Sequence, residues 1–252
     1  MARGSWRDRS RVFVHALAGG LVALLPAVSP AETPAVTALV DRIETAYQAR
    51  DLAALEATRG DLLAASPAPA RAGYYAAYAR FRQALGATDT PNAARDYLED
   101  CIAGLNPFVA AHPADAEAAA LLGSCYGLST RYHPLAFVAR GMEARRHLDA
   151  ALAVAPENPW VVMQDGLADF ATPRVFGGSR SGAIAKLERA ARLFGEQAES
   201  GSRAAAWAEV ETWQQLALMY SATGQAGAAA EAEDRAARAP RATGRIRQAS
   251  LR

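Results

Sequence analysis

The residues that most directly suggest chemistry form the run Gly123-Ser124-Cys125-Tyr126-Gly127. It has the G-x-C-x-G shape of a nucleophile elbow, in which a sharp turn between a strand and a helix exposes the nucleophile. An elbow requires a strand before the turn, and the residues before Gly123 follow a helical pattern instead. The sequence therefore predicts that this run lies inside a helix and performs no catalysis.

The same run also resembles the active-site segment of papain-like proteases. That chemistry needs a His and an Asn far downstream of the cysteine, and no histidine follows His147. His112, His133 and His147 are also too widely spaced for a metal motif such as H-E-x-x-H. We therefore expect no catalytic residue, no metal site and no cofactor, and a hydrolase ranks behind two kinds of binding protein.

The two cysteines suggest a disulfide. Pro113 lies midway in sequence between Cys101 and Cys125. If the chain turns at Pro113 between antiparallel helices, the two cysteines lie level, and an oxidising compartment permits the bond. Two buried free thiols are the alternative, if a kink at Pro107 spoils the alignment.

The N-terminus has the pattern of a secretory signal peptide. Arginines precede a short apolar run at 12–28, and small residues follow up to Ala31. This pattern predicts a signal peptide over 1–31, cleaved near Ala31, and hence a periplasmic protein of a Gram-negative bacterium. An uncleaved anchor is the alternative, although the run is at the short limit for spanning a bilayer. No later run is apolar enough to hold the cleaved protein stably in a membrane.

Charge argues against a nucleic-acid partner. The chain has 252 residues and a formal net charge of +1, with 27 Lys and Arg against 26 Asp and Glu. The only lysine is Lys186, and this preference for arginine indicates coding bias in a GC-rich genome rather than a basic surface. A nearly neutral chain is a poor polyanion binder.

The positions that carry a repeated helix pair recur three times. They are clearest in the last unit: Trp213, Leu216, Ala217, Tyr220, Gly224, Ala229, Ala236 and Pro240. This resembles the tetratricopeptide repeat, with its W-x2-L-G-x2-Y, A-x3-F and P pattern. Glu233 replaces the large apolar residue of the second helix, as expected for a terminal helix facing water. Gly123 and Gly166 open two earlier units.

The resemblance implies an all-α fold of antiparallel helix pairs stacked as a short solenoid. Degenerate pairs are expected over 32–113, recognisable pairs over 114–240, and a flexible tail over 241–252. The two earlier units have enlarged connections, because the stretch from Tyr126 to Ala144 is twice as long as the matching stretch from Tyr220 to Ala229. The added residues fall at Ser129–Glu143 and Thr172–Gly182. A specialised surface is expected there first.

The second insertion contains Gly177-Gly178-Ser179, which suggests a phosphate-binding loop before a helix. No lysine at Walker spacing accompanies it, so we interpret it as a turn with Ser179 or Ser181 as helix cap. Loops of this kind are similar to those in secreted bacterial repeat proteins. Among these are the helical-repeat subunits of tripartite periplasmic transporters.

The repeat resemblance also implies a partner-binding surface on the concave face. There it predicts a protein or peptide partner held without catalysis. The alternative is a periplasmic module that binds a small ligand or assists transport. A deep pocket lined by Tyr74, Tyr75 and Tyr78 would favour the small ligand, and an open groove across Trp160 and Trp213 would favour a peptide. The predicted partner-binding residues are Glu117, Ser124, Trp160, Met163, Gln164, Glu211 and Gln214.

Overall fold

The computed structural model of the protein describes residues 34–65 and 71–239. Every regular element in these residues is helical, which confirms the prediction of an all-α fold. The predicted signal peptide and the predicted C-terminal tail lie outside them. The ten α-helices of the described residues are α1 (Pro34–Gln48), α2 (Leu52–Ala64), α3 (Ala72–Gly86), α4 (Pro91–Ala111), α5 (Ala116–Ser129), α6 (Phe137–Val154), α7 (Pro159–Ala171), α8 (Arg180–Glu199), α9 (Arg203–Ala222) and α10 (Ala226–Arg238).

Polar caps and prolines fix where several helices begin. The side chain of Asp115 accepts a hydrogen bond from the Ala118 N–H at 3.0 Å at the start of α5. Pro159 opens α7, where the missing N–H of a proline costs nothing. Pro107 lies inside α4, and the helix continues through it, so α4 is one helix rather than two shorter pieces.

Glycines let paired helices approach closely. A Cβ added at Gly123 in α5 would lie 2.9 Å from the Ala144 carbonyl oxygen and 3.0 Å from Leu148 Cγ. A Cβ added at Gly166 in α7 would lie 2.4 Å from Leu187 Cδ1. Both distances are shorter than ordinary van der Waals contact. The small residues of the repeat therefore have the packing role that their spacing predicts.

The odd-numbered helices form a closed circuit of contacts. Each of α1, α3, α5 and α7 contacts the next odd-numbered helix, and α9 contacts α1 again. Each helix from α2 to α8 with an even number packs against the two odd-numbered helices that flank it in sequence. Contact between α1 and α9 is a feature that the repeat pattern does not predict.

Aromatic side chains of α3 belong to the core cluster that joins the odd-numbered helices. Tyr74, Tyr75 and Tyr78 are buried together with Trp207 of α9. Trp160 of α7 meets the Tyr78 ring edge-on, with centroids 6.2 Å apart. These three tyrosines are therefore core residues of the helical fold.

A disulfide joins the two helices that meet at Pro113. The sulfur atoms of Cys101 in α4 and Cys125 in α5 lie 2.08 Å apart. Cys125 is fully buried in the middle of α5, so its sulfur is not available as a nucleophile. Among the described helices, none has the length and apolar character needed to cross a membrane.

Candidate functional site

The predicted partner-binding residues lie on α5, α7 and α9, where most of them make internal contacts. Ser124 Oγ donates to Gln164 Oε1 at 2.6 Å and so links α5 to α7. Glu117 accepts hydrogen bonds from Arg71 and Asn158 at 3.0 Å each. These three residues are therefore engaged within the protein.

The remaining predicted residues differ in exposure. Trp160 is half-buried, with its ring 5.3 Å from that of Phe194 in α8 and 6.2 Å from that of Tyr78 in α3, so it packs inside the protein. Met163 is 1% exposed, and its sulfur accepts a hydrogen bond from Thr212. Gln214 is half-buried on α9. Six of the seven side chains, all but that of Gln214, make the internal contacts described, and the binding role of the seven stays a prediction.

Glu211 belongs to a buried ionic network centred on Arg82. The Arg82 guanidinium donates to both Glu211 oxygens at 2.8 and 2.7 Å and lies 3.0 Å from Glu44. The Tyr78 hydroxyl donates to Glu44 as well. Burial raises the pKa of Glu44 against the opposing effect of the Arg82 charge, and burial raises the pKa of Tyr47 to about 12. The network joins α1, α3 and α9 and stabilises the packing of these helices.

A second contact closes the same circuit. Asp41 of α1 accepts hydrogen bonds from Arg203 Nε at 2.8 Å and from Trp207 Nε1 at 2.9 Å, both on α9. This contact is more exposed than the Arg82 network, but both partners of Asp41 belong to the same chain. The charged groups that line the circuit are thus matched by other groups of the chain.

The two insertions meet on the surface of the protein. The rings of Phe137 and Phe176 lie with centroids 6.0 Å apart and planes tilted by 58°. Six of the nine exposed large apolar side chains in the described residues belong to these insertions, and they are between 37% and 103% exposed. We call this set the insertion patch: Leu135, Phe137, Val138, Met142, Val175 and Phe176.

Partly buried hydrogen bonds hold the first insertion in shape. Two short 3-10 helices, Thr130–Tyr132 and Pro134–Ala136, lead into α6. The Arg140 guanidinium donates to Glu99 of α4 at 2.7 Å and to the hydroxyl of the buried Ser129 at 2.8 Å. The apolar side chains of this insertion therefore stand on an ordered backbone.

Glycines hold the second insertion in shape. After the 3-10 helix Arg174–Phe176, Gly177 turns the chain with φ of 93°, a left-handed conformation that favours glycine. A Cβ at Gly178 would lie 1.8 Å from the Thr172 carbonyl oxygen, so no other residue fits there. Ser179 caps α8 by accepting from the Gly182 N–H at 3.0 Å, which confirms the helix-cap interpretation.

Three arginines without ion pairs belong to the same two insertions. Arg131 and Arg174 are exposed, and neither has a carboxylate partner within the described residues. Arg180 is also exposed and unpaired there, with its guanidinium 5.7 Å from the centre of the Phe170 ring. The only acidic residue in either insertion is Glu143, which pairs with Arg146 at 2.6 Å. The surface thus combines apolar side chains with free positive charge.

The sequence located the two insertions but not the residues that act together in them. Phe137, Val138 and Met142 lie at helix positions that the repeat leaves to solvent, which is one signal that was missed. The other is that the second insertion contains two arginines and no acidic residue. The pairing of Phe137 with Phe176 had no signal in the sequence.

Comparisons with known proteins show the fold. No protein-family model matches the sequence, and a search of curated proteins finds no match. Among solved structures, the chain is similar to the HusA haemophore from Porphyromonas gingivalis, with a TM-score of 0.55 and 22% sequence identity. The similarity covers 78% of this chain and 97% of the haemophore. At this identity it establishes a shared helical architecture.

Proposed function

We propose that this protein is an exported, non-catalytic binding protein that holds a protein or peptide partner against the insertion patch. One observation carries the proposal: most exposed large apolar side chains of the described residues lie on two ordered insertions, which meet at Phe137 and Phe176. Covering one large apolar side chain contributes about 1.5–3 kcal/mol. Exposed apolar surface concentrated in one region commonly marks an interaction site.

Three features support the exported and non-catalytic parts of the proposal. The N-terminal sequence has the pattern of a signal peptide. The Cys101–Cys125 disulfide suits an oxidising compartment. The helical architecture is shared with a haemophore, which is itself a binding protein by name.

The test compares two variants that each remove two exposed apolar side chains. Phe137→Ser with Phe176→Ser changes the insertion patch, and Leu63→Ser with Leu218→Ser changes exposed residues of α2 and α9. Each protein is expressed with its own leader, crosslinked in the periplasm and recovered for mass spectrometry.

The expected result is a protein recovered with the wild type and with the control variant but lost with the patch variant. With that partner purified, the patch variant should bind at least about tenfold more weakly, because aromatic residues dominate many interfaces. Equal recovery of the partner protein with the patch variant and the control variant would exclude the insertion patch as the binding surface.

A second candidate is a haem-like ligand, and the likeness to the HusA haemophore favours it. A porphyrin presents a flat apolar ring and two carboxylates, which suit the Phe137–Phe176 pair and the arginines beside it. Haem is titrated into the wild type and both double variants while the Soret band is followed. Saturable binding that only the patch variant loses would favour haem over a protein partner.

A further inference from the structure

Ion pairing separates the arginines beside the insertion patch from those elsewhere. Of the 18 arginines in residues 34–65 and 71–239, 14 have a carboxylate oxygen within 4.0 Å. The others are Arg50, Arg131, Arg174 and Arg180. Three of these four lie in the insertions that carry the patch, so the unpaired positive charge of the described surface is concentrated there.

No acidic residue of the insertions offsets this charge. Glu143 is committed to Arg146, and that contact lowers the pKa of Glu143. Arg140 is in turn committed to Glu99 of α4. Arg131, Arg174 and Arg180 are therefore the side chains beside the patch that are available to an incoming anion.

We infer that the partner docks through an acidic amphipathic segment, whose apolar side chains cover the insertion patch and whose carboxylates pair with Arg131, Arg174 and Arg180. The inference rests on the proposed function and names the chemistry of its partner. Val138 and Met142 lie one turn apart on α6, and Phe137 meets Phe176 across the insertions. Apolar side chains of a short segment can lie over these residues while carboxylates on its flanks reach the guanidinium groups.

An anionic membrane surface fits the same charges less well. Electrostatic attachment to such a surface commonly uses clusters of four to eight basic residues, roughly. Here the two insertions contain three unpaired arginines, and the only lysine of the chain, Lys186, is paired with Asp165 and Asp169. A discrete acidic segment matches three guanidinium groups better than an extended anionic surface does.

The experiment uses three labelled helical peptides that share apolar positions and differ in their flanking residues, which are Glu, Gln or Lys. Fluorescence anisotropy gives the Kd of each peptide for the full chain at low and at high salt. Arg131→Gln, Arg174→Gln and Arg180→Gln are combined in one variant. Its control combines Arg42→Gln, Arg235→Gln and Arg238→Gln, which removes the same charge from exposed helix surfaces elsewhere.

The Glu peptide should bind the wild type about tenfold more tightly than the Gln peptide, since each exposed ion pair contributes modestly. The insertion variant should lose that advantage, high salt should reduce it, and the control variant should keep it. Equal binding of the Glu and Lys peptides would overturn the inference, and so would unchanged binding by the insertion variant.

The same measurements separate this inference from the proposed function. If Phe137→Ser with Phe176→Ser weakens every peptide while the arginine variant weakens none, the patch binds its partner and the charge inference is wrong. If no peptide binds but vesicles with anionic lipid do, and the arginine variant releases them, the partner is a membrane surface and the inference is wrong. The first outcome leaves the proposed function intact, whereas the second overturns it together with the inference, because the proposed function names a protein or peptide partner.

Discussion

Two regions of the molecule differ in whether their charged and apolar groups have partners within the protein. One is the contact between α1 and α9, and the other is the insertion patch. At the helix contact, the fully buried Arg82 faces two carboxylates, and Asp41 is bound by Arg203 and Trp207. At the patch, apolar side chains face solvent and three arginines have no carboxylate partner in the described residues. A region with internally matched charges maintains the fold, whereas a region with unmatched apolar and charged groups has capacity to bind something else.

The largest expected effect is at the buried network. Arg82→Met leaves the buried Glu44 without its cation and should reduce the free energy of unfolding by about 3–5 kcal/mol. Chemical denaturation followed by circular dichroism measures it. Arg131→Met removes an exposed, unpaired guanidinium and is the matched control, for which we expect no measurable change. Equal stability of the two variants would show that the helix contact does not depend on the network.

An intermediate effect is expected where paired helices approach most closely. Gly123→Ala places a Cβ against the Ala144 carbonyl oxygen and should cost about 1–3 kcal/mol of unfolding free energy, partly offset by the better helix propensity of alanine. Gly141→Ala, within α6 and beside the insertion patch, has open space around its Cβ and should stabilise by up to about 1 kcal/mol. The two substitutions should move the denaturation midpoint in opposite directions, and a shared direction would contradict the close packing of α5 on α6.

A small effect on stability is expected at the patch. Phe137→Ser with Phe176→Ser should change the unfolding free energy by less than about 1 kcal/mol, because both rings are exposed in the folded protein. Binding of a fluorescent apolar dye to the native protein should fall at the same time. Leu63→Ser with Leu218→Ser should preserve dye binding. A large loss of stability in the patch variant would mean that the patch maintains the fold.

The smallest effect concerns pH. Burial lowers the pKa of His147 below 6.5, the Arg146 charge lowers it further, and Glu143 opposes both. A lowered pKa means that the contribution of neutral His147 to stability is present above about pH 6.5 and is lost as the pH falls through its folded pKa. The loss of unfolding free energy between pH 7.5 and 5.5 should therefore be smaller in His147→Gln than in the wild type. Chemical denaturation at both pH values measures it. The control is His112→Gln at an exposed position, which should lose as much stability over this pH range as the wild type. If His147→Gln also lost as much as the wild type, the prediction for the neutral His147 imidazole would be wrong.

The sequence by itself determined most of the local structure. Helical periodicity predicted the all-α fold, and the two glycines that open the earlier repeat units, Gly123 and Gly166, are where paired helices approach closely. The equal distances of Cys101 and Cys125 from Pro113 predicted that the two sulfurs meet, as they do in the structure. These features depend on neighbouring helices, whose geometry follows from residue spacing along one or two turns.

Only the tertiary structure decided which distant residues meet. Arg82 pairs with Glu211, which is 129 residues away in sequence, and Asp41 binds Trp207, which is 166 residues away. The spacing of the repeat predicts neither contact. Two of the predicted partner-binding residues, Met163 and Gln164, are buried in contacts with Thr212 and Ser124. The two insertions were visible as extra length, but that Phe137 would meet Phe176 depended on how the chain between them packs. Contacts of this kind are set by the packing of many helices together, and no local pattern of residues records them.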